Sequence, residues 1–333
     1  MDFIVEIGNS HEGSVGIAQS FIDMAKSSGA NCVKFQMHLA EFESMPFEPF
    51  RKYFSVQDKS RIDYWQRVNF IPEHWIFLAE YCEKIGIEFL CTPFSVEAAR
   101  FLFVNGLVKR WKVGSGDAVN FPLIDYLIST NLPLIISTGL VSWDEILILK
   151  TRLLESNSWH NTTLMHCISA YPTPLEKVAI NLISDLQSLG CKVGISDHSG
   201  NIAVSLKAIS LGVSSVEFHM TCHKDFFGPD TKASLLPEDI RKVIDISNAW
   251  DVLEKKKIAK AQVYEDATPL RKIFRKGVYW SCDLKSGEII TLDNLKFRKP
   301  VEVFDAIDFE KILKRKTRRQ VFMDKPVMPE DLE

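Results

Sequence analysis

A chain of 333 residues is longer than one small domain requires and suits a barrel of about 250 residues carrying an appendage. Its hydrophobic share of 46% and charged share of 25% are those of an ordinary globular protein. A net charge of −3 offers no basic excess with which to grip a polyanion, which argues against nucleic acid as a partner.

No apolar run approaches ~18 residues, so neither a spanning helix nor a membrane partner is expected. Asp2 and Glu6 fall within the first apolar run and no basic leader precedes it, unlike a signal peptide. Seven cysteines without a C-x-x-C pair fit neither a disulfide framework nor a structural zinc site, and a reducing cytoplasm is the expected compartment.

In chain order, short apolar runs at 2–8, 32–37, 87–92, 107–113, 132–138, 163–168, 192–196 and 215–220 are strand candidates. Helical spacing fills most of the intervals, at 15–30, 73–85, 96–104, 122–129, 143–154, 175–189 and 202–211. Alternating segments of this kind specify a parallel sheet with helices outside, and eight of them imply a closed (β/α)8 TIM barrel over residues 1–254, finished by a helix at 237–253. An open doubly wound sheet is the alternative.

The stretch 38–70 is too long and irregular for a simple βα loop. Its aromatics (Phe42, Phe47, Phe50, Tyr53, Phe54, Tyr64, Trp65) suggest a lid over the barrel mouth, with an outer elaboration or subunit contact as the alternative. Charged, unpatterned residues 255–269 read as a linker. Residues 270–333 alternate short apolar runs with turn residues and read as a small β-rich domain that buries little core of its own. The basic run 314–319 reads as a solvated helix face rather than a nucleic-acid patch.

Catalysis in such a barrel belongs to the carboxyl ends of its strands. Those positions carry Glu6; Lys34 and Gln36; Thr92; Lys112 and Ser115; Ser137 and Thr138; Ser169 and Tyr171; Ser196 and His198; Glu217 and His219. A full ring of polar groups is hard to explain as structure, since each costs ~1–3 kcal/mol to bury unpaired. Lys34 and Lys112, with the hydroxyls of Thr92, Ser115, Ser137 and Ser196, suit a small phosphorylated, carboxylated anion. His198 and His219 end neighbouring parallel strands, where they either share a divalent cation or are ordinary core histidines. A cation there would polarise a carbonyl, with Glu6 near enough to move a proton or hold a water. An anionic carbon nucleophile beside such a carbonyl describes an aldol-like condensation. The alternatives are a Schiff-base aldolase using Lys112 and a non-catalytic, carbohydrate-binding barrel.

Glu6-Ile7-Gly8-Asn9 with His11-Glu12-Gly13-Ser14, Val33-Lys34-Phe35-Gln36, Thr92-Pro93-Phe94, Lys112-Val113-Gly114-Ser115-Gly116-Asp117, Ser137-Thr138-Gly139, His166-Cys167 with Tyr171-Pro172, Ser196-Asp197-His198, Glu217-Phe218-His219 and Gly228-Pro229-Asp230 follow one another in a pattern that resembles the sialic acid synthase family. The resemblance extends to a C-terminal domain similar to type III antifreeze proteins, the antifreeze-like (SAF) domain, at Asp283-Leu284-Lys285-Ser286-Gly287-Glu288-Ile289-Ile290. It implies condensation of phosphoenolpyruvate with an open-chain 2-acetamido sugar such as N-acetylmannosamine, giving a nine-carbon 2-keto acid and phosphate. It further implies Mn2+ or Mg2+ on His198 and His219. Lys34, Thr92, Lys112, Ser115, Ser137 and Ser196 would hold phosphoenolpyruvate. Glu6, Gln36, Tyr171 and Asp230 would face sugar or water, Glu217 would stand beside the metal, and Phe94 and Ser169 would join the substrate contacts. The family works as a domain-swapped homodimer in which the antifreeze-like domain caps the partner's site. Members usually carry Arg-Pro-Gly there to reach the sugar; this chain has Phe297-Arg298-Lys299-Pro300-Val301, so Arg298 from a shifted register or Lys299 would take that place.

Overall fold

The structure is a computed structural model describing residues 1–50, 53–255 and 257–333. Arg51 and Lys52, in the expected lid, and Lys256, in the expected linker, lie outside the described residues. The chain divides into two compact units, Met1–Leu253 and Glu254–Glu333.

In the first unit eight parallel strands form one sheet: β1 (Asp2–Gly8), β2 (Cys32–Met37), β3 (Glu88–Pro93), β4 (Trp111–Val113), β5 (Leu134–Ser137), β6 (Thr162–His166), β7 (Lys192–Asp197) and β8 (Ser215–His219). Their order is β3-β2-β1-β8-β7-β6-β5-β4, with β3 and β4 in contact across the remaining seam. The sheet is therefore a (β/α)8 barrel, and an open doubly wound order is ruled out.

The helices are α1 (Val15–Ser27), α2 (Ala40–Glu43), α3 (Arg61–Val68), α4 (Pro72–Ile85), α5 (Val96–Val104), α6 (Phe121–Ser129), α7 (Trp143–Glu155), α8 (Leu182–Gln187), α9 (Ile202–Ser210) and α10 (Pro237–Lys255). Ser14, Ser95, Ser142 and Asn201 cap α1, α5, α7 and α9, their side chains accepting from backbone N–H groups of the first turn. The apolar stripes of α1 and of α4 to α10 meet the outer face of the sheet in one continuous core, as Phe21, Ile22 and Ala25 of α1 do, while Ala40 of α2 packs with Tyr64, Trp65 and Val68 of α3 in a separate cluster. Among the described residues no helix is long and apolar enough to cross a membrane.

Three local expectations are corrected. The helix expected at 175–189 is confined to α8, because Pro174 leads into a short 3-10 turn at Leu175–Lys177 and Ala179 takes the left-handed region (φ 49°), which stops a right-handed helix. The linker expected at 255–269 is helical over α11 (Lys260–Asp266), and α12 (Thr268–Phe274) begins before it ends; Gln262 donates to Asp266 one turn on, and the Arg271 guanidinium lies 4.2 Å from the Tyr264 ring centroid. The basic run 314–319 is not helical: Lys314 takes the left-handed region (φ 65°), and buried Thr317 bridges to Leu332 and Lys316 to Ile289.

The second unit pairs β9 (Gly277–Trp280) with β10 (Leu295–Arg298) antiparallel and adds isolated bridges. Its core is small, built from Val278, Trp280, Leu284, Ile290, Leu295, Ile312, Val321, Val327 and Leu332.

Candidate active site

A strand period of two decides which side chains enter the barrel. Ile4, Cys32, Leu90, Ile135 and Met165 make one buried apolar cluster contributed by β1, β2, β3, β5 and β6. Two residues further along the same faces stand Glu6, Lys34, Thr92, Ser137 and, just past β6, Cys167. The interior thus changes from apolar to polar toward the carboxyl rim, where a parallel barrel opens.

The polar layer is built on four charges. Lys112 Nζ lies 2.8 Å and 2.9 Å from the two oxygens of Glu217, reaching from β4 to β8 on the opposite side of the barrel. Lys34 Nζ lies 2.6 Å from Glu6 Oε2 and 3.6 Å from Glu217 Oε1. Ladder register sets this up, since Glu6 on β1 pairs with Lys34 on one side and His219 on the other. Ser196 donates to Glu217 at 2.8 Å and Gln36 Nε2 donates to Glu6 at 2.6 Å.

Burial presses the Lys34 ammonium down, but the Glu217 and Glu6 carboxylates outweigh it and the net shift is upward. Lys112 has one carboxylate partner and faces the Lys34 charge, so burial prevails and its pKa falls. Burial would raise Glu217, yet the two ammonium groups hold it well below the usual carboxylate range. Two ammonium groups and two carboxylates leave the layer formally neutral.

His198 and His219 stand beside this layer with ring centroids 5.1 Å apart. His198 Nδ1–H donates to the Ile168 carbonyl at 2.8 Å, which leaves Nε2 as the lone-pair nitrogen; the Tyr171 hydroxyl donates to it at 3.1 Å. Burial and the neighbouring His219 bring His198 down to about 3, so the ring is neutral at ordinary pH. Asp230 Oδ2 lies 3.7 Å from His219 Nδ1. A neutral imidazole oriented by a backbone carbonyl, with a second imidazole facing it, is a donor pair a divalent cation takes, and a cation would give the neutral layer the positive charge an anionic substrate needs. Among the described residues no group of three or more His, Cys, Asp or Glu converges, so a cation on the pair would draw its remaining ligands from solvent or substrate.

A cavity of about 520 Å3 opens over these groups. Of the residues singled out from sequence, Lys34, Gln36, Thr92, Phe94, Lys112, Ser115, Ser137, Ser169, Tyr171, Ser196, His198, Glu217, His219 and Asp230 line it. Glu6 is wholly buried beneath, bound to Lys34 and Gln36. Arg298 and Lys299 are exposed in the second unit, at the end of β10 and just beyond it. The Gly139 amide donates to Ser115 Oγ at 3.1 Å, and a Cβ there would fall 2.7 Å from Cys167 Sγ and 2.8 Å from Ser169 Oγ, so only glycine lets the loops after β4, β5 and β6 meet.

Sequence reasoning did not single out Asn9, Ser10, His38, Arg61 or Cys167, which also line the cavity. His38 is buried between two rings, 3.7 Å from Trp65 and 4.2 Å from Phe94, and contacts Glu43 Oε1 at 2.7 Å and Gln36 Oε1 at 3.1 Å. Its position two residues after Gln36 was the only signal in the sequence. The 38–70 stretch supplies Phe50, Phe54, Arg61, Tyr64 and Trp65 to the wall, as a lid would. Arg67 anchors α3 by pairing with Asp58 and with Glu12 of the first βα loop, at 2.8 Å and 2.6 Å.

The fold and the rim define a (β/α)8 barrel whose mouth is equipped for a small anion and a carbonyl partner. The chain belongs to the NeuB family, which it matches over residues 21–258. It is similar to the N,N'-diacetyllegionaminic acid synthase of Campylobacter jejuni, 31% identical over 315 residues that cover 93% of each chain. It is 33% identical over 245 residues to the N-acetylneuraminate-9-phosphate synthase of Homo sapiens, covering 72% of this chain and 67% of that one. A crystal structure of the N-acetylneuraminic acid (sialic acid) synthetase from Leptospira borgpetersenii, in complex with citrate, superposes with a TM-score of 0.69 at 26% identity over 81% of this chain and 90% of the other. The chain is thus a member of a family of carbohydrate-biosynthetic synthases.

Proposed function

We propose that the protein condenses phosphoenolpyruvate with the aldehyde of an open-chain 2-acetamido sugar, N-acetylmannosamine or a related amino sugar, to give a sialic-acid-type nine-carbon 2-keto acid and phosphate. The observation that carries this reading is the presence in one cavity of two buried lysines ringed by hydroxyls and, beside them, two facing imidazoles. The names of the relatives support the product class.

Lys34 and Lys112 would fix the carboxylate and phosphate of the enol ester, with Thr92, Ser115, Ser137 and Ser196 donating to the remaining oxygens. Mn2+ or Mg2+ on His198 and His219, when bound, would polarise the aldehyde. C3 of the enol attacks the aldehyde carbon, forming the new C–C bond while the aldehyde oxygen takes a proton. Water adds to the resulting oxocarbenium carbon C2. The tetrahedral intermediate then breaks its C2–O bond and expels phosphate, leaving the ketone. Glu6 holds Lys34 and Gln36 in place and Glu217 holds Lys112, while Tyr171 and Asp230 border the acceptor.

The seven cysteines are all free, in keeping with a reducing cytoplasm. The second unit is read as an antifreeze-like domain that caps the barrel of a second copy, bringing Arg298 or Lys299 to the acceptor. The test is phosphate release in mixtures lacking one component at a time. Release that requires phosphoenolpyruvate, an amino sugar and Mn2+ or Mg2+ together is expected, and release without sugar sinks the reading. The lowered pKa of Lys112 favours one competitor, a Schiff-base aldolase. Borohydride trapping of pyruvate that chelator leaves undiminished would establish it instead.

A further inference from the structure

Lys34, Gln36 and His38 alternate along β2 and just past its end, so a period of two brings all three to the cavity they line. Gln36 is the middle of a chain of contacts whose direction is set at one end. Glu6 pairs with the Lys34 ammonium at 2.6 Å through Oε2, and Gln36 Nε2 donates to its Oε1 at 2.6 Å. With its nitrogen engaged there, Gln36 turns its carbonyl Oε1 toward His38 Nε2, 3.1 Å away. A carbonyl oxygen only accepts, so His38 Nε2 carries the hydrogen.

The other ring nitrogen faces the lid. His38 Nδ1 contacts Glu43 Oε1 of α2 at 2.7 Å, a distance that holds one further proton between ring and carboxylate. Trp65 of α3 and Phe94 after β3 clamp the two faces of the imidazole, with centroids 3.7 Å and 4.2 Å away and planes tilted by 9° and 15°. The ring is 4% exposed. Parallel stacking on both sides confines its N–H bonds to one plane, which contains Gln36 at one edge and Glu43 at the other. Glu43 thus orients His38 and His38 orients Gln36, in the way a supporting group fixes the geometry of one that meets the substrate. Without the His38 N–H the Gln36 amide is held from the Glu6 side alone.

We propose that His38 is a positioning residue for the condensation: clamped by the lid, it holds the Gln36 amide against Glu6 and so ties the lid to the acceptor side of the cavity. The inference rests on the condensation proposed above and deepens it by making the lid's position part of that site's control.

The test is a double-mutant cycle on kcat/KM for whichever of N-acetylmannosamine and a 2,4-diacetamido hexose gives the faster phosphate release, with saturating phosphoenolpyruvate and Mn2+. His38→Phe keeps an aromatic ring between Trp65 and Phe94 and removes both N–H groups, while Gln36→Leu removes the amide. Each alone is expected to lower kcat/KM for the sugar by about tenfold, the size of one buried hydrogen bond. Together they are expected to lower it no further than Gln36→Leu does, because His38 acts through Gln36. KM for phosphoenolpyruvate is expected to stay unchanged in all three, since Lys34 keeps Glu6 and Glu217. Glu43→Leu leaves the ring stack in place and releases Nδ1, so it is expected to lower kcat/KM for the sugar as well, and Glu43→Gln, whose amide N–H can donate to Nδ1, to restore it. Losses that multiply in the double variant, wild-type kcat/KM in His38→Phe, or equal activity of Glu43→Leu and Glu43→Gln overturn the positioning role and leave the condensation standing. Wild-type phosphate release that needs no sugar overturns both.

Discussion

Lys112 reaches Glu217 across the width of the barrel while Lys34 meets the same carboxylate from β2, so one side chain anchors both ammonium groups. The sequence placed both lysines at strand ends, because the period of two made that plain. It did not reveal their partners, which depend on a cross-barrel distance that no local pattern encodes. Glu217 titrates lower folded than unfolded, held down by Lys112 and Lys34 against the opposing effect of burial. Its stabilisation is therefore complete above the unfolded value of about 4.3 and drains as pH falls through the lower folded value. Glu217→Gln leaves Lys112 buried without its counter-ion and is expected to cost ~3–5 kcal/mol at pH 7 in urea melts. The deficit should shrink only below about pH 4, as the carboxylate of the unfolded wild-type chain protonates. A deficit near ~1 kcal/mol at pH 7 would mean the pair behaves like a surface ion pair.

At the scale of the element, strands and helices with clean periodicity were legible, and α5 coincides with the stretch expected at 96–104. The losses have local causes. Residues 175–189 have helical spacing, but Ala179 adopts a left-handed backbone that apolar spacing does not register. β4 covers only Trp111–Val113 of the seven residues expected, the ladder to β5 starting at Trp111 against Leu134. The lid's aromatics were visible in sequence and their direction was not. The ring stack of Trp65, His38 and Phe94 joins α3 to the β2 and β3 loops, contacts that only the folded chain brings together. Arg67, tied to Glu12 and Asp58, fixes the last turn of the same helix.

For the whole molecule, eight alternating units were enough to specify the barrel, since parallel strands require crossover helices and the count closes the sheet. The second unit was harder to read, because its short bridges and small core leave little periodicity. If that unit caps a second copy, light scattering should give twice the 38.0 kDa chain mass, and a single-chain mass would contradict the domain-swapped arrangement. The central claim is that the lysines hold an enol phosphate whose C2–O bond breaks only after its C3 has attacked a sugar aldehyde. The most direct measurement uses phosphoenolpyruvate labelled with oxygen-18 in the bridging C–O–P position, incubated with Mn2+ and the preferred amino sugar. The account predicts that the label appears in the released phosphate and that none is released without sugar; label retained in the keto acid, or release in the absence of sugar, would contradict it.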